Sequence, residues 1–239
     1  MMLGGNAHGH TVLAIGHHED ESIYDPQNFI FPDGSSWVDV SFFNKKLVLI
    51  DDNMPPYQIV DISKPAADYH NLELRKMDIK SFIAPLPVHM YLVAEKAYAM
   101  AKEIFDTEIV GLQANGEKWI TRLFLTGSRS FKDFLFRTDK TLATVIKNRL
   151  LSLPLPKFIW VAQIFKAREY KKEGLCAGLL IMDPTSDGTL PASVLFYMVD
   201  NNLFLHDNVN WDKIPKRVVP FRMQIYRNNL KGAWSKWKS

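Results

Sequence analysis

The sequence predicts an α+β protein, on three observations. Short apolar runs of β-forming residues stand at both ends of the chain. Apolar positions at helical spacing are confined to its middle. Strand and helix patterns do not alternate as they would in a chain of βαβ units, so the helices cluster after the first strands.

The first run, Thr11-Val12-Leu13-Ala14-Ile15, opens on His10 and closes on Gly16, as a short buried strand would. Residues 19–44 are rich in turn chemistry, with Tyr24-Asp25-Pro26 and Pro32-Asp33-Gly34-Ser35-Ser36. Within them Trp37 to Phe42 alternates like an edge strand. Lys46-Leu47-Val48-Leu49-Ile50 is the next strand, ending on Asp51-Asp52 and stopped by Pro55-Pro56. Tyr57 to Ile62 alternates as another, and Leu72-Glu73-Leu74-Arg75 and Ile79 to Ile83 are expected to close the sheet.

Pro85-Leu86-Pro87 marks the boundary between a region 1–85 and a region 86–239. Beyond it Val93, Ala97, Met100, Ala101 and Ile104 share one face, which predicts a helix from Met90 to Phe105. Asn115-Gly116 is a turn and Trp119 to Leu125 a strand. Ser128 to Phe136 is a short helix with Phe131, Phe134 and Leu135 inward. Thr138-Asp139 is expected to cap a further helix facing the core with Leu142, Val145, Ile146 and Leu150. Pro154 and Pro156 require that helix to end by Leu153. Phe158 to Ala162, Leu179 to Met182, Val194 to Val199 and Leu203 to Leu205 follow as strands, with Asp200-Asn201-Asn202 as a hairpin turn.

A chain of 239 residues, 47% hydrophobic and 23% charged, buries a substantial core. Its single cysteine forbids an internal disulfide and agrees with a reducing, cytoplasmic location as the default. No apolar stretch approaches a membrane span, and no basic-apolar signal pattern opens the sequence. A net charge of +3 is too small to argue for nucleic acid. The tail does carry Lys213, Lys216, Arg217, Arg222, Arg227, Lys231, Lys236 and Lys238 interleaved with Trp211, Phe221, Tyr226, Trp234 and Trp237. The expectation there is a C-terminal strand followed by a solvated tail.

His10 at the mouth of one strand and Asp51 at the end of a neighbour can meet across a ladder, which would hold the imidazole in one tautomer. Asp52 is the alternative partner, because adjacent side chains on a strand take opposite faces and the register is open.

His10-Thr11-Val12-Leu13-Ala14-Ile15-Gly16-His17 resembles the histidine strand of papain-like cysteine peptidases, with His17 where an aromatic usually follows the glycine. Leu47-Val48-Leu49-Ile50-Asp51 is similar to their next strand, which ends on Asn or Asp. Aspartate there resembles the bacterial branch that processes double-glycine leader peptides, although Asp51-Asp52-Asn53 stands where that branch more often has Asp-Pro. The resemblance implies an antiparallel β half carrying His10 and Asp51, thiol-dependent amide hydrolysis or transfer, and a peptide substrate without a cofactor. It covers about the first quarter of the chain. The region after Pro87 resembles a C-terminal extension of uncharacterised bacterial papain-like proteins, which implies no chemistry.

The family's nucleophilic cysteine and oxyanion-hole side chain lie upstream of the histidine, where this sequence has only Met1-Met2-Leu3-Gly4-Gly5-Asn6-Ala7-His8-Gly9. Cys176 follows both His10 and Asp51 inside an apolar run, as a buried hydrophobe does. The expectation is a truncated or degenerate member whose thiol comes from an upstream Cys-bearing segment or a partner. A non-catalytic peptide-binding module on the same scaffold is the alternative. A third reading is a metal-dependent hydrolase with His8 and His10 as ligands and Asp51 on the ion or its water. His17 and His18 lie too far along the strand to join that ion. Arg122, Arg129 and Lys132 could bind an anion near a helix start, although exposed cations on a helix are more often just solvated. Ser128, Ser130 and Ser186 have no base at recognisable spacing, which argues against a serine hydrolase.

Overall fold

A computed structural model describes residues 1–4, 9–18, 31, 37–40, 45–55, 57–83, 89–112, 117–170, 174–190, 192–199, 202–204 and 220–226. The fold is α+β, and the chain divides into two units. Residues Met1–Phe29 and Val40–Pro87 make the first; Ile30–Asp39 and Val88–Ser239 make the second. The segment Pro85-Leu86-Pro87 lies outside the described residues.

The first seven strands are β1 (Met2–Gly4), β2 (Gly9–Thr11), β3 (Leu13–His18), β4 (Trp37–Asp39), β5 (Lys46–Ile50), β6 (Gln58–Asp61) and β7 (Asp78–Ser81). All but β4 belong to the first unit, in two antiparallel three-stranded sheets ordered β2-β1-β7 and β3-β5-β6. The run from His10 to Gly16 is therefore two strands rather than one. Val12 is the break: it is 3% exposed, its N–H donates to Met1 O, and its carbonyl accepts from the Met1 amine. Met1 and Val12 thereby extend the β1–β2 register by one more pair, and the chain passes to the other sheet at Leu13. Leu3, Val12, Leu49, Val60, Tyr69 and Met77 form the shared core.

Leu72 to Arg75 does not form a strand. Asn71 Oδ1 accepts the N–H of Glu73, and a 3₁₀ turn, Leu74–Lys76, follows. A short polar side chain has drawn the backbone into a turn.

In the second unit α1 (Ala94–Leu112) precedes β8 (Trp119–Gly127), α2 (Ser128–Arg137), α3 (Thr144–Ser152), β9 (Phe158–Lys166) and α4 (Ala167–Tyr170). Then come β10 (Leu175–Cys176), β11 (Gly178–Met182), β12 (Val194–Val199), β13 (Asn202–Phe204) and β14 (Met223–Gln224). Six of these unit-two strands make one sheet, ordered β13-β12-β11-β9-β8-β4, antiparallel except for the parallel edge pair β4 and β8. The expected edge strand at Trp37 is thus β4, with Phe42 outside the described residues. Val199 pairs with Asn202; the turn residues Asp200 and Asn201, like the turn at Asn115-Gly116, lie outside the described residues.

Three helix expectations change. The first helix starts at Ala94 rather than Met90; the residues before it are anchored elsewhere, with the N–H groups of Tyr91 and Leu92 both donating to Pro184 O, at 2.8 and 3.0 Å. Ala97, Met100, Ala101 and Phe105 are buried, whereas Val93 precedes the helix and is exposed. Asp139 does not cap α3, whose N-cap is Ala143. It is fully buried, accepting from Thr141 N and Oγ1 at 2.8 and 2.9 Å, Leu142 N at 3.1 Å and Gln224 N at 3.3 Å. The carboxylate therefore organises a turn and holds β14. Val145 is exposed, while Leu142, Ile146 and Leu150 face inward.

Strand β14 pairs with β10, and Phe221, Met223 and Tyr226 are buried beside it. The basic-aromatic residues of the tail other than Phe221, Arg222 and Tyr226 lie outside the described residues. Among the described residues no helix is long and apolar enough to cross a membrane.

Candidate functional site

Alternation along β5 decides where the first aspartate goes. Leu49 is buried, Ile50 exposed, and Asp51, one step on, is 8% exposed on the Leu49 side. The β3–β5 ladder sets Leu13 opposite Ile50, so the residues just before Leu13 approach those just after Ile50. His10 Nε2 stands 2.8 Å from Asp51 Oδ1. Asp52 is nearby but solvated: its Oδ1 lies 3.4 Å from the same nitrogen, with its side chain 83% exposed. Both carboxylates offered by the sequence thus reach His10, and Asp51 is the buried partner.

Two further groups complete the site. The Tyr69 hydroxyl donates to Asp51 Oδ2, and the backbone N–H of Asn53 donates to Asp51 Oδ1 at 2.9 Å. Burial raises the Asp51 carboxyl. The bonds from Tyr69, Asn53 and His10, with the His10 charge, outweigh burial and hold it below 3.8. Burial, then the bond to Asp51 and the nearby carboxylate charges, push the Tyr69 phenol well above its usual value, so it remains a donor. The rings of His10 and Tyr69 meet edge to face, with centroids 6.4 Å apart.

Nε2 therefore faces carboxylates, and His10 Nδ1 has no hydrogen bond among the described residues. With its Nε2 hydrogen committed to Asp51, a neutral ring presents Nδ1 as a proton acceptor. The His10 side chain is 20% exposed, enough to meet a small reactant. A small crevice lined by Leu3, Leu49, Asp51, Met54, Val60 and Tyr69 adjoins the carboxylate.

The other sequence-derived groups do not join this site. Cys176 lies in the second unit and is fully buried. Burial, followed by the Asp139 charge, pushes its thiol well above the usual value; Gln163 Nε2 lies 3.7 Å from Sγ, and Sγ donates to Met223 O at 3.3 Å. A thiol held that way keeps its proton and is no nucleophile. His8 is outside the described residues, and His17 and His18 are placed only as members of β3. Two of the three candidate anion-binding cations are engaged within the second unit. Arg122 donates to Gln163 Oε1 and Tyr226 O, and Lys132 donates to Leu151 O and Leu153 O at the end of α3.

Tyr69 and Asn53 are the members that sequence reasoning missed. Asn53 is adjacent to the aspartates and could have been found as a turn residue whose N–H returns to Asp51. Tyr69 carries no local signal, because it lies 18 residues beyond Asp51, with β6 and several turns between them.

The fold and site define an α+β protein with a tyrosine-braced histidine–carboxylate pair. No family model, curated protein or solved structure matches the chain.

Proposed function

We propose that the first unit is the acid–base half of a papain-like cysteine peptidase site, serving thiol-dependent hydrolysis or transfer of a peptide amide. The observation that carries this reading is the polarity of the dyad: Asp51 engages Nε2 and leaves Nδ1 to receive a proton. Nδ1 takes the proton of an incoming thiol, the thiolate attacks the amide carbonyl, and the imidazolium returns that proton to the leaving amine. Water then releases the acyl group from sulfur with His10 again as base. Asp51 keeps the ring oriented and stabilises its charged form. Cys176 is sequestered in the second unit, so this reading requires a reactive thiol from outside these 239 residues.

The test compares the chain with and without any in-frame coding sequence that precedes Met1. Fluorogenic peptide amides and iodoacetamide labelling are the readouts. The expected result is labelling and cleavage at an added thiol, with cleavage cut on the order of 10²–10⁴-fold by His10→Ala. An extended frame without cysteine, and no thiol-dependent cleavage by either form, would refute the enzyme. Peptide binding without cleavage would instead identify a non-catalytic module.

A further inference from the structure

We propose that His10 Nε2, Asp51 Oδ1, Asp52 Oδ1 and the Asn53 side chain form a binding site for a divalent transition-metal ion of the zinc class. A ring nitrogen has one hydrogen or one lone pair to offer, yet three groups converge on His10 Nε2. Asp51 Oδ1 is 2.8 Å away, Asp52 Oδ1 3.4 Å and Asn53 Nδ2 3.3 Å. One proton serves only one of them. A cation set among them would serve all: two carboxylates balance its charge, and the imidazole supplies a borderline-soft nitrogen.

Two of the donor separations, 2.8 and 3.4 Å, are near those of neighbouring ligands in a coordination shell. Ligands at zinc distances stand about 3.0–3.4 Å apart along octahedral or tetrahedral edges. The His10, Asp51 and Asp52 ligand atoms all lie within 4.8 Å of one another, two of the separations being 2.8 and 3.4 Å. Turning the Asn53 amide over exchanges Nδ2 for Oδ1 and supplies a fourth donor. Behind the ligands, the Tyr69 hydroxyl and the Asn53 N–H orient the Asp51 carboxylate, as outer groups do around metal-bound carboxylates. The exposed Asp52 leaves the site open to solvent on its other side.

This donor set differs from the His8–His10 pairing suggested by the sequence, since its further ligands come from Asp51-Asp52-Asn53 and need no second histidine. Binding displaces the Nε2 hydrogen to solvent, so the neutral ring carries its hydrogen on Nδ1. On the acid–base reading above, zinc would then block the nitrogen that must accept the thiol proton, making the ion an inhibitor of the site. Only this regulatory consequence rests on that reading.

The experiment titrates the full chain with Zn²⁺ by calorimetry and with Co²⁺ by visible absorption, against Mg²⁺ and Ca²⁺. The comparison proteins are Asp52→Asn, whose site is exposed, and His10→Gln. The expected result is saturable one-to-one zinc binding, weakened by about tenfold or more in Asp52→Asn and lost in His10→Gln. Affinity unchanged in Asp52→Asn would place the ion on other histidines and overturn the site, as would no saturable binding. Preference for Mg²⁺ or Ca²⁺ over Zn²⁺ would overturn the metal class. None of these readouts requires catalysis, so their failure leaves the acid–base reading standing, and the absence of cleavage leaves the metal site standing.

Discussion

Replacing Tyr69 with phenylalanine removes one oxygen and separates bracing from packing. Tyr69 is 6% exposed, and its ring packs with Leu3, Leu49 and Val60, contacts that phenylalanine keeps. What disappears is the hydroxyl donor to Asp51 Oδ2, an oxygen with no other donor among the described residues. A hydrogen bond to a charged acceptor contributes about 1.5–3 kcal/mol. A loss of about 2 kcal/mol corresponds to a roughly thirtyfold larger opening constant for the first unit. The effect must also depend on pH. The Asp51 carboxyl is held below 3.8 in the native protein, so its contribution is present above the unfolded value and lost as pH falls through the native one. With the hydroxyl gone the native carboxyl is held down less, so the gap between the two proteins is widest near neutrality and closes below about pH 4. Tryptophan fluorescence cannot read this directly, since residues 1–29 and 40–87 contain no tryptophan. Amide exchange at residues 47–51 and 58–61, measured across pH, is the suitable assay. A loss that stays the same at pH 3 and pH 7, or one below about 0.5 kcal/mol, would refute the bracing argument.

Three further outcomes follow from packing in the second unit. A Cβ at Gly178 would come 2.8 Å from Met198 O and 2.9 Å from Val199 Cγ2, so Gly178→Ala should cost about 1–3 kcal/mol, read as a lower urea midpoint by tryptophan fluorescence. Asp139→Ala strips acceptors from three backbone N–H groups and the Thr141 hydroxyl, and should cost on the order of 3 kcal/mol or more, measured in the same titration; a loss under 1 kcal/mol would contradict its assigned role. Cys176, fully buried with its thiol pushed up, should resist iodoacetamide in the native protein and react at a rate that rises with urea; prompt native labelling would contradict that burial.

The parts of the fold legible in the sequence were those whose cause is local. β9, β11 and β12 announce themselves as apolar runs, and α2 through the spacing of Phe131 and Leu135. Pro154 marks the end of α3 because a ring without an N–H cannot extend a helix. One error, at Leu72 to Arg75, has a local cause in the Asn71 side chain, and others fall where a distant group engages the chain. Pro184 O anchors the segment just before α1 through the N–H groups of Tyr91 and Leu92, and Gln224 N donates to the buried Asp139, which caps no helix. At Val12 the run has a strand pattern on both sides, and what divides it is a change of partner, from β1 up to Val12 to β5 from Leu13.

The site follows the same rule with a different balance. His10 and Asp51 could be paired from sequence because strand ends and their terminal polar residues are local features, but the choice between Asp51 and Asp52 needed the register. The structure decides by burial: the face that places Leu49 in the core also turns Asp51 inward, and only an inward carboxylate can receive a buried phenol. Tyr69 therefore distinguishes two neighbouring aspartates that are chemically identical. Asp51 becomes a fixed, braced acceptor, while Asp52 stays solvated on the same nitrogen. That asymmetry is what a dyad needs, and it is also what leaves a second carboxylate available to a cation. The two proposals thus require different things of Asp52. Proton transfer through His10 needs only Asp51 and Tyr69 and should tolerate Asp52→Asn, whereas the metal site should not.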